Sequence, residues 1–435
     1  MDDSRIIVSL DIGTTSMKVV VANIVKGRAS IVGVGSAHSQ GMSRGVIVDI
    51  DKASAAISQA VKKAASQSNT EINDVIIGLP ANGLQMFKTQ SLIALNEQSK
   101  EIDDEDVKRV IKASLGKTLA PDLEFVALIP GSFGVDGFKN IKDPRGMIGN
   151  RLEFTGVLYA LPKSIIHNSL KAVQRAGLNV VYEVLAPVAI GEVALDKGER
   201  DFGTTIIDLG GGQTTAAIIH ENQLKFAAVD PEGGNLVASD VSTVLNTTLD
   251  SANKLQRYYG NAEVSLAVAG EEFPVEIVGQ EDPKNVSSKY LAEIIEARLQ
   301  QIFERLRSKL NSVEAIDLPG GVVLTGGLAA MPGIDQLAKK LLNTKVKIFI
   351  PNQMGLRHPA FTEGLGLVLY AQGLNDLDML AYDIIHQSDV QPEIKQESAH
   401  KMSTKATGSS KKKIKSEKII STSDKIKNFW GKFFD

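Results

Sequence analysis

The chain has 435 residues, of which 43% are hydrophobic, and this scale predicts two to three domains with full cores. It contains no Cys, which excludes disulfides, thiolate metal sites and cysteine nucleophiles. The formal net charge is only −3, but residues 401–435 hold ten Lys against three acids, so a local +7 is set against −10 elsewhere and the tail is built to face something anionic.

The acidic start Met-Asp-Asp-Ser-Arg and the short strand behind it predict no secretory signal. No uncharged run approaches the roughly 18–20 residues of a membrane span, so a cytosolic or peripheral protein is expected. Ile6 to Leu10 is apolar, Asp11 follows, Gly13, Thr14 and Thr15 form a turn, and Val19 to Val21 return, which together predict a hairpin. An alternating strand over Ala29–Ser36 leads to Arg44–Asp49. A helix is expected from about Asp51 to Ser66, with Ile57, Ala60, Val61 and Ala64 on one face, and then a core strand over Val75–Leu79, ended by Pro80. Residues from about 84 to 162 break this pattern and predict an inserted unit of mixed strands and a helix. That helix opens with Asp103, Asp104, Glu105 and Asp106, acids that suit its dipole, so capping is preferred to metal binding. A helix over Lys163–Ala176, stopped by Gly177, and an apolar strand lead to Glu183–Gly191, read as a helix crossing between two halves.

The second half repeats the opening: an apolar strand from Thr204, Asp208, a turn of Gly210, Gly211, Gly212, Gln213 and Thr214, and an apolar return over Ala216–Ile219. Glu232, Gly233, Gly234 and Asn235 precede a helix running to Tyr259, and a β-rich stretch precedes a long charged helix over about Ser287–Lys309. Val322–Leu324 is a strand ending in a turn at Gly326 and Gly327, with a helix from about Ile334. Thr362–Tyr370 is the second crossing helix, its glycines permitting close packing at a hinge.

A Gly-rich turn lets backbone N–H groups approach a phosphate, and a carboxylate at the strand end can hold Mg²⁺ through water. One such hairpin alone is most simply a turn. Two of them, followed by Thr-Gly-Gly after a third strand, form a constellation that resembles the superfamily of actin, hexokinase and DnaK-type chaperone ATPases. The expected fold class is therefore α/β: an actin-like ATPase fold of two RNase H-like halves. The resemblance implies ATP and Mg²⁺ as cofactors. It implies that Asp11 and Asp208 organise Mg²⁺ while Gly13, Thr14, Thr15 and Lys18 meet phosphates from one side, with Gly210, Gly211, Gly212, Gln213 and Thr214 meeting them from the other. Gly326 and Gly327 would border the adenosine. The superfamily's Glu-x-x-Lys on the ribose-binding helix is replaced by Asn253 and Gln256, which hydrogen-bond without charge, so lower nucleotide affinity is expected. A water-positioning Glu or Gln is expected on the first crossing helix. Glu183 lies nearest, but it is one residue out of register with the Glu-Pro motif of MreB-type filaments and Val184 stands in place of the Pro. No catalytic residue is assigned, and slow or negligible turnover is expected.

Residues 386–420 are rich in Ser, Thr, Lys, Gln and Glu, as expected of a disordered linker. Beyond it, Ile426, Phe429, Trp430, Phe433 and Phe434 fall on one helical face and Lys425, Lys427 and Lys432 on the other. The only Trp lies on this stripe, and aromatic rings favour the water–lipid boundary, so a membrane-surface helix over 421–435 is preferred to self-docking, a partner groove or nucleic acid. Lys411, Lys412 and Lys413 add attraction to anionic lipid.

An actin-like core, an insert in its first half and a linker to an amphipathic helix together resemble the FtsA family of bacterial cell-division proteins, over essentially the whole chain. The resemblance implies an ATP-binding protein that polymerises on the cytoplasmic face of the membrane at the division site. It also implies binding of the C-terminal tail of the tubulin-like protein FtsZ, tethering of the FtsZ ring, and recruitment of later division proteins. The layout it implies is subdomain IA over 1–83, inserted IC over 84–162 and a return to IA over 163–200. Subdomains IIA and IIB with a closing helix of IA then occupy 201–385, before the linker and the membrane helix. The FtsZ tail would dock on IIB, where Lys284, Lys289 and Arg298 suit an acidic peptide, although a solvated face also explains these residues. The rival readings are a sugar or acetate kinase, a DnaK-type chaperone, for which the residues after 386 are too short and polar, and a PilM-like pilus-assembly homologue, expected to lack the terminal anchor.

Overall fold

The computed structural model describes residues 4–95, 100–313, 315 and 317–387. Strands β1 (Ser4–Ile12), β2 (Ser16–Val25) and β3 (Arg28–His38) form an antiparallel meander. Helix α1 (Ile50–Ser68) packs on β3 and β2 and leads to β4 (Asp74–Leu79), which pairs parallel with β1. The α1 sequence states both of its ends: Asp49 accepts the Lys52 N–H at the start, and Asn69 adopts a left-handed conformation (φ 50°) at the close. Ala53, Ala56, Ile57, Ala60 and Ala64 make its buried face, and the alanines let the helix lie close to the sheet.

Between β4 and the rest of this half lies the insert. Strands β5 (Gln85–Ala94), β6 (Leu123–Val135), β7 (Phe138–Ile141) and β8 (Arg151–Pro162) form an antiparallel sheet in the order β7-β6-β8-β5, covered by α2 (Asp104–Ala113). Asp103 and Asp106 close a capping box at the start of α2, as expected for that acidic run. Helix α3 (Lys163–Arg175) then returns the chain to β9 (Asn179–Leu185), which pairs parallel with β4, and to the crossing helix α4 (Ala186–Ala194).

The second half repeats the first. Its sheet consists of β10 (Thr204–Leu209), β11 (Thr214–His220), β12 (Gln223–Asp230), β13 (Val322–Thr325) and β14 (Val346–Ile348). The order is β12-β11-β10-β13-β14, against β3-β2-β1-β4-β9 in the first half, and both run three strands antiparallel and then two parallel. Helices α5 (Gly234–Leu245), α6 (Leu249–Tyr259), α7 (Ser288–Asn311) and α8 (Ile334–Leu342) belong to this half, with a two-stranded ribbon of Glu272–Val275 and Lys284–Ser287 before α7. The crossing helix α9 (Thr362–Gly373) and α10 (Asp376–Gln387) bring the chain back to the first.

Three expectations are corrected here. Glu183 belongs to strand β9, not to the crossing helix, which begins at Ala186 with Pro187 in its first turn. The single helix expected to end at Tyr259 is two helices, split where Asn246 turns left-handed and Thr248 starts a new cap. The long charged helix lies where it was expected, from Ser288, capped by Ser287, to Asn311. His386 and Gln387 belong to α10 rather than to the linker. The rest of the expected linker, and the amphipathic helix with Lys425, Ile426, Lys427, Phe429, Trp430, Lys432, Phe433 and Phe434, lie outside the described residues. Among the described residues no helix is long and apolar enough to cross a membrane.

Helix α10 straps the insert to the first half. Ala381 and Ile384 enter the insert's core with Phe133, Phe154 and Leu158. Tyr382 stacks between Tyr182 and His386, and His386 Nε2 lies 2.8 Å from Glu183 Oε2 while its Nδ1 lies 2.9 Å from the Tyr382 carbonyl. Both partners are acceptors, so the imidazolium satisfies both. Burial lowers the His386 pKa, but the Glu183 carboxylate outweighs it and holds the group above its ordinary value. The contact therefore stabilises the strap fully below the ordinary imidazole range and is lost as pH rises through the raised value. We expect amide exchange in α10, corrected for intrinsic rate, to speed up as pH rises from neutral to alkaline. Glu183→Gln is expected to remove that pH dependence, and exchange that follows pH equally in both proteins would refute the latch.

Candidate nucleotide site

The two duplicated hairpins place their chemistry in register. Asp11 pairs across its hairpin with Lys18, and Asp208 pairs across the other with Thr215. The turns meet face to face: a Cβ on Gly211 would strike Thr15 Oγ1, and one on Gly212 would lie 2.4 Å from Thr14 Cγ2. Thr15 Oγ1 is 3.4 Å from Asn235 Oδ1, the Gly45 N–H donates to Thr14 Oγ1 at 2.9 Å, and Asn82 Nδ2 donates to Gln213 Oε1 at 2.9 Å across the halves. The first amides of α5 are turned onto the second hairpin, with Gly234 N–H and Asn235 N–H donating to the Gly210 and Gly211 carbonyls at 3.0 and 2.8 Å.

One cavity of about 600 Å³ runs along this junction. It gathers every residue assigned to nucleotide from the sequence except Thr214, whose hydroxyl donates to the Glu232 carbonyl at 2.9 Å. Strand alternation places Thr215, not Thr214, against the cavity. At the far end Asn253, Gln256, Arg257, Gly327 and Met331 line the wall. Asn253 Nδ2 is committed to the Leu249 carbonyl at 2.9 Å, so its Oδ1 remains as the acceptor toward the cavity. Gly326 sits at φ +89° and ψ 165°, with Asp208 Oδ1 and the Leu209 carbonyl where a side chain would be.

The carboxylates gather at the other end. Lys18 Nζ lies 2.9 Å from Asp11 Oδ2, and both residues are buried. Burial lowers the lysine's pKa, but the Asp11 carboxylate outweighs it and keeps the ammonium above its ordinary value. Asp208 is pushed up to about 6, by burial first and by Asp11 second. Glu363, at the start of α9, is pushed well above the ordinary carboxylate range by burial, Asp11 and Asp208. His358, whose Nδ1 accepts the Ala360 N–H at 3.1 Å, is held below its ordinary value by burial and Lys18. Three carboxyl groups thus share one ammonium. Such a set suits a divalent cation, and backbone-lined turns beside it suit the phosphates that would bring one. Among the described residues no three acids or imidazoles stand close enough to grip an ion directly, so Asp11 and Asp208 would hold a cation through water.

A carboxyl group with a raised folded pKa favours folding below its ordinary value of 3.8, and that contribution is lost as pH rises through about 6. Without nucleotide, Asp208→Asn is therefore expected to stabilise the protein by about 1–3 kcal/mol at pH 7.5, a gain that shrinks toward pH 4.5. Urea titrations at the two pH values check this, and an equal effect at both would refute it.

No acid or amide replaces Glu183 on the first crossing helix. Its cavity-lining residues are Ala186, Pro187 and Ile190, and its Glu192 is paired with Arg200 at 3.1 Å. The residues suited to an acidic peptide are divided. Lys284 and Lys289 are exposed, but Arg298 is not a free cation: Asp240 at 2.5 Å and Glu232 at 3.1 Å engage its guanidinium, beside Arg305 on Asp230 at 2.6 Å. Ser16, Gly45, Gly78, Thr215, Arg257, His358 and Glu363 also line the cavity and were not expected there from the sequence. Only Thr215 carried a signal, through its register with Lys18.

Two family models match the chain: that of the cell division protein FtsA over residues 205–366, and that of the SHS2 domain inserted in FtsA over residues 81–159. The cell division protein FtsA of Enterococcus hirae is 45% identical over 437 residues, which cover 98% of each chain. Among solved structures, a chain of the PilM–PilN type IV pilus biogenesis complex superposes with a TM-score of 0.59 at 15% identity, covering 85% of this chain and 99% of its own. MreB5 of Spiroplasma citri bound to ADP does so with a TM-score of 0.53 at 13% identity, covering 88% and 99%. These structural likenesses bear on fold alone, and they establish it as actin-like.

Proposed function

The chain belongs to the FtsA family of cell-division proteins, and on that premise we propose that it binds Mg·ATP between its two hairpins, polymerises on the cytoplasmic face of the membrane and tethers the FtsZ ring there. The observation that carries the nucleotide part is the convergence of three turns, two aspartates and Lys18 on one cavity between duplicated halves. ATP then serves as a ligand that fixes how the halves sit and so how copies stack. Turnover is slow, because the first crossing helix offers the cavity no group to orient water.

The anchoring part rests on composition. Residues 421–435 would lie in the interface with Ile426, Phe429, Trp430, Phe433 and Phe434 in the acyl boundary, while Lys425, Lys427 and Lys432 meet anionic headgroups. The acidic tail of FtsZ would dock on the second half near Lys284 and Lys289, and Arg298 would shape that face through Asp240 rather than greet the peptide directly. Later division proteins would be recruited by the assembled filament, with the insert as the exposed platform.

Co-sedimentation with anionic vesicles tests this reading. The full chain is expected to pellet with vesicles and to bind a fluorescent FtsZ-tail peptide. A chain ending at residue 420 is expected to lose pelleting, by tenfold or more on the scale of a lost amphipathic anchor, while still binding the peptide. A full chain that stays in the supernatant and ignores the peptide would end the tether reading.

A further inference from the structure

We infer that Glu363 is a third carboxylate of the cation and phosphate site, positioned to hold through water the same divalent ion as Asp11 and Asp208. This rests on the nucleotide reading and extends it to a residue on the second crossing helix, away from both hairpins.

The first turn of α9 is fastened to both halves. Ser9 Oγ donates to the Gly364 carbonyl at 2.7 Å, and Ser9 lies two residues before Asp11, on the same face of β1. Thr325 Oγ1 donates to Thr362 Oγ1 at 2.7 Å, and Thr325 is the β13 residue in register with Asp208. Glu363 is thereby placed between the two aspartate-bearing strands. Its carboxylate enters the cavity over Gly78, where a Cβ would come within 1.9 Å of Oε1. Among the described residues, the only ammonium in this end of the cavity, Lys18, already bonds Asp11 at 2.9 Å. Charge balance leaves Asp208 and Glu363 as the pair that a divalent ion would neutralise. Because α9 is the link between the halves, an ion held by all three carboxylates would fix the crossing helix to both hairpins when nucleotide is bound.

The test uses the full chain, ADP and Mn²⁺ as the probe, with free Mn²⁺ read by electron paramagnetic resonance and nucleotide affinity measured separately in EDTA. Glu363→Gln is expected to weaken Mn²⁺ in the ADP complex by about 10–100-fold, with ADP affinity in EDTA changed less than about twofold. Glu363→Asp, which keeps the charge but withdraws it from the cavity, is expected to be intermediate, and it decides the matter if the Gln variant fails to fold. Glu192→Gln, outside the cavity, is expected to match the wild type. Wild-type Mn²⁺ affinity in both Glu363 variants overturns this inference alone. A wild-type chain that binds neither ADP nor Mn²⁺ overturns the nucleotide reading as well.

Discussion

Replacing Gly366 by alanine is expected to destabilise the protein by about 2–4 kcal/mol, although alanine is the better helix former by about 1 kcal/mol. Gly366 lies where α9 crosses α4, and a Cβ there would fall 2.1 Å from the Ala189 carbonyl oxygen and 2.6 Å from its carbon. The obstacle is backbone, which cannot swing aside as a flexible side chain would. The two crossing helices must part by about 1 Å, and the dispersion contacts along both are weakened together. Gly373 in the same helix has nothing within 4 Å of its missing Cβ, so Gly373→Ala is expected to be neutral or slightly stabilising. Denaturant titration of the two variants separates the effects. A stabilised Gly366→Ala would mean that the crossing helices are not held at this distance in solution.

The second large effect is on ligand binding. Gly326→Ala is expected to lower nucleotide affinity by about 100-fold or more, the scale of losing several well-placed contacts. Gly326 combines φ +89° with ψ 165°, a region essentially reserved for glycine, at a cost of about 1–3 kcal/mol for another residue. Its Cβ would also lie 2.3 Å from Asp208 Oδ1 and 2.6 Å from the Leu209 carbonyl. Relief of that clash pushes the Asp208 carboxylate and the third turn apart, so the carboxylate end of the cavity and the wall proposed to border the nucleoside are disturbed by one substitution. Equilibrium binding of a fluorescent ATP analogue measures this, and near wild-type affinity would remove Gly326 from the site.

What the sequence displayed was whatever its local chemistry dictates. Apolar strands that end in Asp and a Gly/Thr turn announced both hairpins, and their recurrence announced the duplicated halves, which the matching strand orders of the two sheets bear out. The acidic start of α2 read correctly as a cap. The local expectations that the structure corrects depend on strand phase or helix onset. Lys18 opposite Asp11 has its counterpart in Thr215 opposite Asp208, so Thr215 and not Thr214 takes the cavity side. Pro187 marks a first helical turn, so Glu183 had to precede the crossing helix. Other features could not be read locally. Arg298 is engaged by Asp240 and Glu232, 58 and 66 residues away along the chain, and Glu363 shares a cavity with Asp11 and Asp208 only because α9 returns from the second half to the first.

The proposed function joins a nucleotide-organised filament, the FtsZ tail and the membrane in one chain. Fluorescent full-length FtsZ added to a supported anionic bilayer carrying this protein with Mg·ATP tests it most directly. The account predicts FtsZ accumulating on the bilayer, and no accumulation when either residues 421–435 of this chain or the C-terminal tail of FtsZ is removed. FtsZ that remains in solution over a bilayer densely covered by the intact protein would contradict it.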